Sequence, residues 1–165
     1  MAFEFIKQPD IIDINVELRL RKFDKSEYVK ALPWYQNPQV LYFSEGVTDT
    51  VYDMDIVNRM YKYLEAIGEL YFIEVYESNS WFPIGDVTLS DKNMPIVIGN
   101  AKYWGKGIGK NVIGVLLRRA RDIGLNKIYI PAIYKYNERS KKLFEAFGFV
   151  KVSENEKEES FELKI

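Results

Sequence analysis

Apolar and charged residues alternate along "VELRLRKF" (Val16–Phe23), and this period of two predicts a half-buried strand. Further apolar runs predict strands over Leu70–Glu77, Phe82–Ser90 and Met94–Asn100, the first two joined by the turn "SNSW". Residues 1–15 carry a weaker pattern, and we expect an extended arm there. The N-terminal part of the chain is therefore predicted to supply a meander of strands.

Helical spacing of apolar residues marks the predicted helices. The segment "DMDIVNRMYKYLEAIG" (Asp53–Gly68) begins at a capping aspartate and ends in glycine. A later helix, ending at Gly124, would present one apolar face formed by Ile108, Val112, Ile113, Leu116, Leu117, Ala120 and Ile123. Asp24 with Glu27 resembles a capping box, which predicts an earlier helix through about Tyr35 that "NPQV" would break.

Strands and a helix alternate at the C-terminal end. "NKIYIPAIY" (Asn126–Tyr134) predicts a strand, and "NERSKKLFEAFGF" (Asn137–Phe149) predicts a helix with an Asn cap and a Gly stop. "FVKVS" and "SFELKI" would close the sheet around the acidic turn "ENEKEE". We therefore expect one α+β domain over residues 1–165, with a mixed, twisted central sheet of about six to seven strands flanked by helices.

Composition excludes several classes of function. The net charge of −1 gives no electrostatic case for a nucleic-acid or membrane partner, and no apolar run reaches the length of a membrane span. The start "MAFEFIKQPD" lacks the features of a signal peptide, so we expect a cytoplasmic protein. The chain has no Cys and no His, which excludes disulfides, thiolate nucleophiles and Ser-His-Asp relays. We expect no metal, since Cys/His zinc sites are excluded as well.

The stretch "KYWGKGIGKNVIGVLL" (Lys102–Leu117) carries the strongest functional signal. Three glycines and two lysines interleave there: Gly105, Lys106, Gly107, Gly109 and Lys110. A strand, a glycine-rich turn and an immediate helix form an anion site, because unpaired N–H groups point into the turn and the helix dipole adds about half a positive charge. The stretch therefore predicts a phosphate-binding turn.

Two familiar phosphate motifs do not fit this turn. The nucleotide loop G-x-x-x-x-G-K-[ST] fails because the spacing from Gly105 is one residue short and Asn111 replaces Ser or Thr. The dinucleotide fingerprint G-x-G-x-x-G fails because Lys110 or Val112 stands where the third glycine is needed.

The turn resembles the Q/R-x-x-G-x-G/A motif with which the GNAT superfamily of N-acetyltransferases binds the pyrophosphate of coenzyme A. Trp104 stands at the Gln/Arg position, and "YWGKG" is similar to the ribosomal-protein N-terminal acetyltransferase branch. A second motif of that branch resembles the residues Asn137, Ser140, Phe144, Gly148 and Phe149. The resemblance covers about residues 96–150, and the element order from Val16 onward agrees more loosely.

The resemblance implies a GNAT fold and direct transfer of an acetyl group from acetyl-CoA to a primary amine, with no acyl-enzyme. The implied CoA-binding residues are Ile96, Val97, Ile98, Trp104, Gly105, Lys106, Gly107, Ile108, Gly109, Lys110, Asn137 and Ser140. Backbone N–H groups near Val97 and Ile98 would stabilise the thioester oxygen. The pantetheine arm would pair with Ile96–Ile98 like an added strand. Together with Ser140, Val97 and Ile98 are the catalytic candidates.

Two acid–base residues common in the family are missing here. "MPIVIG" offers no Glu on its strand, and Phe144 stands where many members have Tyr. An amine with a pKa of about 10.4, as in lysine, must still lose a proton before it can attack. Candidate proton donors to the sulfur are Ser140, Tyr134 and Tyr136, and candidate bases acting through water are Glu74, Asp86 and Glu45. Proximity and the backbone donors alone could also supply the rate.

The stretch "LPWYQNPQVLYFSEGVTDTVYD" (Leu32–Asp53) is rich in aromatic and acidic residues, and the family lines its acceptor cleft with this region. Candidate substrate-binding residues are Trp34, Tyr42, Glu45 and Asp49. The resemblance implies that the terminal acidic turn borders the same cleft with Glu154, Glu156, Glu158 and Glu159. An acidic, aromatic cleft would attract a cationic amine.

Among acceptors a protein N-terminus ranks first by branch resemblance, and a polyamine or an aminoglycoside comes next. A monomer and a homodimer both stay open. Two other functions also stay open: a module that binds and senses acetyl-CoA without turnover, and an unrelated phosphate-binding scaffold. The missing Glu and Tyr motivate the first of these alternatives.

Overall fold

A computed structural model describes residues 3–46 and 49–165 of the chain. Within these ranges it has eight strands: β1 (Ile11–Asn15), β2 (Leu18–Lys22), β3 (Glu69–Glu77), β4 (Ser80–Leu89), β5 (Ile96–Ile98), β6 (Lys127–Tyr134), β7 (Val150–Glu154) and β8 (Glu158–Lys164). Its five α-helices are α1 (Leu32–Tyr35), α2 (Pro38–Glu45), α3 (Met54–Ile67), α4 (Ile108–Asp122) and α5 (Glu138–Glu145). Short 3₁₀ helices cover Lys25–Ala31 and Ala101–Tyr103.

The strands form two antiparallel sheets, with the orders β1-β2-β3-β4-β5 and β6-β8-β7. The predicted α+β class is confirmed, but the strands divide between two sheets and number eight among the described residues, where one sheet of about six to seven was expected. The first sheet ends at β5, which is only three residues long. A bond from Tyr129 N–H to Asp91 O (2.9 Å) links the two sheets.

Two hydrophobic clusters cover opposite faces of the five-stranded sheet. The first packs α4 and α5 against both sheets and includes Leu20, Ile73, Val87, Leu116 and Phe161. The second packs α1, α2 and α3 against the other face and includes Tyr35, Tyr61, Phe72 and Val97. In the described ranges, every helix is too short or too polar to cross a bilayer.

The predicted N-terminal arm contains a strand. Ile11–Asn15 forms β1 and pairs with β2 in a hairpin, which extends the sheet by one strand beyond the predicted set. Ile12 and Ile14 pack on the first cluster, so alternate residues of this short strand have an apolar contact.

The helical segment predicted from Asp24 to about Tyr35 is confirmed, as a 3₁₀ helix followed by α1, but Asp24 and Glu27 do not form the reciprocal bonds of a capping box. The Asp24 carboxylate accepts a hydrogen bond from Ser26 N–H and opens a 3₁₀ helix. Glu27 does not reach back to Asp24 but binds Arg21 and Lys30. The stronger attraction of the Glu27 carboxylate for two cations explains the difference.

Helix α2 was missed, because "NPQV" was predicted to end a helix. Asn37 instead caps α2, its side chain accepting from Gln39 N–H at 2.9 Å. Pro38 takes the first helical position, where a missing N–H carries no penalty. The other predicted helices and strands are confirmed, with ends shifted by a few residues.

Candidate functional site

A cleft of about 820 Å³ lies between β5 of one sheet and β6 of the other. Helices α1, α2 and α3 line one part of it, and the starts of α4 and α5 line the other. The two parts meet at β5, so a molecule bound along β5 would contact both. One end of the cleft lies at the turn before α4, and the other, which contains Glu45 and Asp86, is the acidic end.

The turn before α4 is built for close approach of a ligand to the backbone. Gly105 and Gly107 have φ angles of +72° and +77°, a left-handed conformation that favours glycine. A Cβ added at either position would meet no atom within 4 Å, so the surface of the turn is open. The two glycines therefore shape the turn and also keep it accessible.

The first turn of α4 has amide groups without a helical partner. Gly107 is its N-cap and contributes no side-chain cap, and the first helical bond runs from Asn111 N–H to Gly107 O. The N–H groups of residues 108–110 therefore point out of the helix start. Lys106 and Lys110 flank them, and both line the cleft. This arrangement is chemically suited to an anion such as a diphosphate.

Trp104 connects this turn to β5 through a hydrogen bond. Its indole Nε1 donates a hydrogen bond of 2.6 Å to the carbonyl oxygen of Ile98. The guanidinium of Arg139 lies 5.3 Å from the indole centroid and adds positive charge at the same end of the cleft. Trp104 thus sets the distance between the anion-binding turn and the strand edge.

The edge of β5 offers backbone donors to the cleft. Gly99 N–H donates to Ile84 O, and Thr88 N–H donates to Pro95 O. In an antiparallel pair of strands, hydrogen-bonded residue pairs alternate with pairs that are not hydrogen-bonded. The bonded pairs Ile84–Gly99 and Thr88–Pro95 lie two residues to either side of the register pair Asp86–Val97, so Asp86 and Val97 also exchange backbone hydrogen bonds. The N–H groups of Ile96 and Ile98 then point to the opposite, unpaired edge. Of the two candidate donors, Val97 is engaged in the sheet and Ile98 faces the cleft.

Asp86 is a buried carboxylate at the acidic end of the cleft. Only 1% of its surface is exposed. The hydroxyls of Tyr35 and Tyr61 both donate to its Oδ2, at 2.6 Å and 2.7 Å. Burial raises the pKa of Asp86 to about 6, and the two hydroxyl donors partly oppose this rise.

Glu45, the last residue of α2, brings a second carboxylate to the same end. Burial raises the pKa of Glu45 to about 7; the Asp86 charge adds to the rise and the Tyr52 hydroxyl opposes it. Both carboxyls therefore titrate near neutral pH. The neighbouring Ser44 hydroxyl is buried and has no hydrogen-bond partner among the described residues.

The tyrosines proposed as proton donors hold α2 in place. Tyr134 OH donates to Glu45 O at 2.9 Å, and Tyr136 OH donates to the backbone carbonyl of Tyr42. Phe144, at the position where the family often has Tyr, is buried and packs edge-on against Phe149. Ser140 lines the cleft, and its role as proton donor stays a prediction.

Asn137 has two roles within the fold. Its Oδ1 caps α5 by accepting from Ser140 N–H, and its Nδ2 donates to Phe43 O, both at 3.2 Å. Asn137 also lines the cleft, beside the edge where CoA was predicted to run. Its amide therefore connects α5 to α2 across that part of the cleft.

The predicted substrate-binding residues do not all meet. Glu45 lines the cleft, whereas Trp34 is buried behind it and packs against Gly99. Tyr42 is partly exposed and stacks on Tyr136 with ring centroids 4.2 Å apart. Asp49 is exposed and lies outside the lining of the cleft.

Other predicted acidic residues are engaged elsewhere. Glu74 lies outside the cleft lining and binds Arg19 and Arg21. In the terminal turn Glu154 binds Lys135 and Lys151. Glu159 binds Lys141 in the same way. None of the four terminal glutamates is among the described residues lining the cleft.

Sequence reasoning missed Tyr35 and Tyr61 as partners of Asp86. They lie 51 and 25 residues from it along the chain, so no local pattern connects them. Among the described ranges, no cluster of three or more Asp, Glu, His or Cys residues could hold a metal ion.

A model of the family described as "Acetyltransferase (GNAT) domain" matches residues 17–150. An uncharacterized protein of Methanocaldococcus jannaschii is 33% identical over 94 residues, which is 54% of this chain and 19% of that protein. The chain thus spans about a fifth of the length of that curated relative. The crystal structure of a domain from the same organism superposes with a TM-score of 0.77 and 25% identity, over 90% of this chain and 98% of the other.

Two further solved structures are similar in fold. One is yncA from Salmonella typhimurium, solved with its cofactor acetyl-CoA (TM-score 0.66, 16% identity, 89% of this chain and 93% of the other). The other is RimL, a ribosomal L7/L12 alpha-N-protein acetyltransferase in complex with CoA (TM-score 0.71, 14% identity, 94% and 98%).

Proposed function

The chain belongs to the GNAT acetyltransferase family, which carries out acetyl-CoA-dependent acetylation, and we propose that it transfers the acetyl group directly to a primary amine without an acyl-enzyme. One observation carries the proposal. The anion-binding start of α4 lies beside the free edge of β5, and the Trp104–Ile98 hydrogen bond fixes the two together. A molecule with a diphosphate at one end and an amide-containing arm at the other fits this arrangement.

The described residues fit coenzyme A. The open turn at Gly105 and Gly107 accommodates its diphosphate, with the amides of residues 108–110 as donors. Lys106 and Lys110 supply positive charge. The outer edge of β5 supplies backbone N–H groups of Ile96 and Ile98 that pair with the pantetheine arm, while the Ile98 carbonyl is held by Trp104. The yncA and RimL structures, similar in fold, were solved with acetyl-CoA and CoA, which supports this assignment.

Bound acetyl-CoA supplies an activated acyl group, and the protein provides position and charge. Ile98 N–H donates to the thioester oxygen as it gains negative charge, a role for which the engaged Val97 N–H is less suited. Ser140 donates a proton to the leaving sulfur. Since the chain has neither Cys nor His, attack by the amine itself is the route that its side chains support.

The acidic end of the cleft favours an acceptor with one cationic amine and an apolar body. Apolar and aromatic side chains from α2 and α3 line it, namely Val40, Phe43, Met60, Tyr63 and Leu64. Glu45 and Asp86 supply carboxylates for the amine. A polyamine carries several cations and an aminoglycoside several hydroxyls, and apart from Ser44, Glu45 and Asp86 the lining from α2 and α3 offers mainly apolar surface to them. A protein N-terminus therefore ranks first.

Resemblance to the ribosomal branch supports the same acceptor. The "YWGKG" stretch is similar to that branch, and RimL acts on the N-terminus of ribosomal protein L7/L12 according to its name. The α-amino group also has the lowest pKa of the candidate amines, about 8, and so needs the least help in losing its proton.

A module that senses acetyl-CoA without turnover is the second candidate. The buried Phe144 favours it, because a phenyl ring cannot donate the proton that a Tyr would supply there. Transfer and sensing differ in one measurable product, free CoA thiol.

The test is release of thiol from acetyl-CoA in the presence of three kinds of amine: a short peptide with an apolar first residue, spermidine and an aminoglycoside. We expect release with the peptide, and acetylation of its α-amino group by mass spectrometry. Tight CoA binding with no release from any amine would favour the sensor. Thermal stabilisation by ATP but not by CoA would contradict both.

A further inference from the structure

Three carboxylates of the described chain are almost fully buried, and they differ in their partners. Glu69, Glu74 and Asp86 are 2%, 3% and 1% exposed. Arg119 binds Glu69, and two arginines bind Glu74. No lysine or arginine in the described part of the chain forms an ion pair with Asp86, which has only two tyrosine hydroxyls. Buried carboxylates normally have a cationic partner, so this one lacks a cation that a ligand could provide.

Asp86 lies beside the position proposed for the thioester. It is the register partner of Val97, and partners across an antiparallel pair project from the same face with Cβ atoms about 5 Å apart. Ile98, whose N–H faces the cleft, is the next residue. A cation that binds Asp86 from the cleft is therefore placed within reach of an acyl group held at Ile98.

The two tyrosines leave one carboxylate oxygen for such a cation. Tyr35 comes from α1 and Tyr61 from α3, and both donate to Oδ2. No side-chain donor to Oδ1 is found among the described residues, and Asp86 is one of the residues lining the cleft.

We propose that Asp86 binds the acceptor ammonium through Oδ1 and takes its proton, and that Tyr35 and Tyr61 are positioning residues for this step. The inference rests on the proposed N-acetyltransferase function. It selects Asp86, on β4, from the three candidate bases that the sequence offers, and it assigns a role to two tyrosines that the sequence did not connect with it.

Transfer of the acetyl group from sulfur to nitrogen conserves protons and electrons. Asp86 carboxylate takes one proton from the ammonium and becomes a carboxylic acid, which frees the nitrogen lone pair. That lone pair forms the new C–N bond while the C–S bond breaks, and the sulfur leaves with the bonding pair. The nitrogen loses its second proton to the sulfur, with Ser140 as donor or relay. Asp86 then releases its proton to solvent, so the net products are the amide, CoA thiol and one proton.

The groups around Asp86 suit a proton acceptor at neutral pH. The titratable side chains facing it are Tyr35 on α1, Tyr61 on α3 and Glu45 on α2. Its neighbours on β3 and β5, Phe72 and Val97, are apolar. Burial raises the pKa of Asp86 to about 6, so the carboxylate is ionised at pH 7.5 yet more basic than an exposed one.

The test is the pH profile of kcat/KM for a peptide with a free α-amino group. In the wild type the acid limb should have its midpoint near pH 6, below the pKa of the amine. In Asp86→Asn we expect kcat/KM to fall about 10²- to 10⁴-fold. The midpoint should then move to the pKa of the α-amino group, about 8, because only free amine can react. Affinity for CoA should stay the same.

Tyr35→Phe gives a second test that does not remove the carboxylate. Its hydroxyl lowers the pKa of Asp86, so its loss should move the acid limb to higher pH. At pH 6 kcat/KM should fall about two- to tenfold, with little change at pH 9. Tyr71→Phe is the matched control: it removes a buried tyrosine–carboxylate bond of 2.8 Å to Glu69, away from the cleft lining, and should leave the profile unchanged.

The outcomes separate the two claims. A wild type that releases no thiol with any amine refutes the proposed function and this inference together. An active wild type whose acid limb already lies at the pKa of the amine refutes the inference alone. So does an Asp86→Asn variant with the wild-type midpoint. If Asp86→Asn does not fold, an unchanged profile in folded Tyr35→Phe refutes the inference, and an upward shift supports it.

Discussion

The indole Nε1 of Trp104 lies 2.6 Å from the carbonyl oxygen of Ile98, and this hydrogen bond joins the anion-binding turn to the strand edge that faces the cleft. Sequence comparison had placed Trp104 at a position where the family motif has Gln or Arg. In this chain the indole bonds to the protein backbone, so the residue contributes by positioning the turn.

Trp104→Phe should weaken CoA binding by holding the turn less firmly. We expect a three- to tenfold rise in the Kd for CoA, and a loss of about 1 kcal/mol in the free energy of unfolding, because the Ile98 carbonyl loses its donor. Titration calorimetry and urea unfolding measure the two effects. Trp81→Phe, on β4 under Arg19 and outside the cleft lining, should leave the Kd unchanged. Equal effects of both variants would contradict the role of Trp104.

Asp86→Asn should change stability with a defined pH dependence. The native carboxyl has a pKa of about 6 instead of the ordinary 3.8, so the native state keeps a proton that the unfolded chain has lost between these values. The contribution of the Asp86 carboxyl to the unfolding free energy of the wild type is therefore fully present below about pH 4 and is lost as the pH rises through 6. The unfolding free energy of the variant relative to the wild type should rise by about 3 kcal/mol from pH 4 to pH 7. Urea unfolding across this range checks it, and a constant difference would be evidence against the raised pKa.

The end of α2 is held by three side chains from the β6–α5 connection. Tyr134, Tyr136 and Asn137 donate to consecutive or nearby α2 carbonyls, and the rings of Tyr134 and Tyr136 stack 5.4 Å apart. Tyr136→Phe removes one of these bonds and should raise the KM for the amine about three- to tenfold without changing the Kd for CoA. Tyr76→Phe, on an exposed tyrosine of β3, is the control. A change in CoA affinity with an unchanged amine KM would show that α2 does not shape the acceptor end.

Two glycine substitutions should have opposite effects on stability. A Cβ at Gly114, inside α4, would lie 3.7 Å from the Phe147 ring, which is ordinary contact, so Gly114→Ala should stabilise the protein by about 0.5–1 kcal/mol. A Cβ at Gly85, on β4, would lie 2.0 Å from Val97 O. Gly85→Ala should therefore disrupt the β4–β5 pairing and destabilise the protein. Urea unfolding measures both, and stabilisation by Gly85→Ala would contradict the strand register.

The sequence predicted those helices and strands whose ends are set by neighbouring residues. Asp53 and Gly68 cap the two ends of α3 as predicted, because capping depends on a few neighbouring residues. Helix α2 was missed because an Asn-Pro pair suits the end of one helix and the start of another equally well, and only the packing of Val40 and Leu41 decides between them. The division into two sheets could not be predicted from the sequence either, because it depends on how far β5 remains paired with a neighbouring strand.

Of the candidate site, the glycine turn could be predicted from the sequence and the acidic end could not. The glycine turn can be found in sequence because backbone amides and left-handed glycines lie next to each other along the chain. The acidic end could not be found in this way. Asp86 appeared only as one of several candidate bases, and what distinguishes it from Glu74 is the identity of its partners, two distant tyrosines in one case and two arginines in the other.

The central claim is that backbone amides at the start of α4 hold the diphosphate of CoA, and calorimetric titration of CoA into two matched variants tests it most directly. Gly107 and Gly124 have φ angles of +77° and +84°, both with open space around an added Cβ, and they lie at opposite ends of α4. Gly107→Glu places a side chain and a negative charge in the proposed cradle, and we predict a loss of CoA affinity of about 100-fold or more. Gly124→Glu should lower stability to a similar degree but bind CoA like the wild type. Wild-type affinity in Gly107→Glu, or equal losses in both variants, would contradict the account.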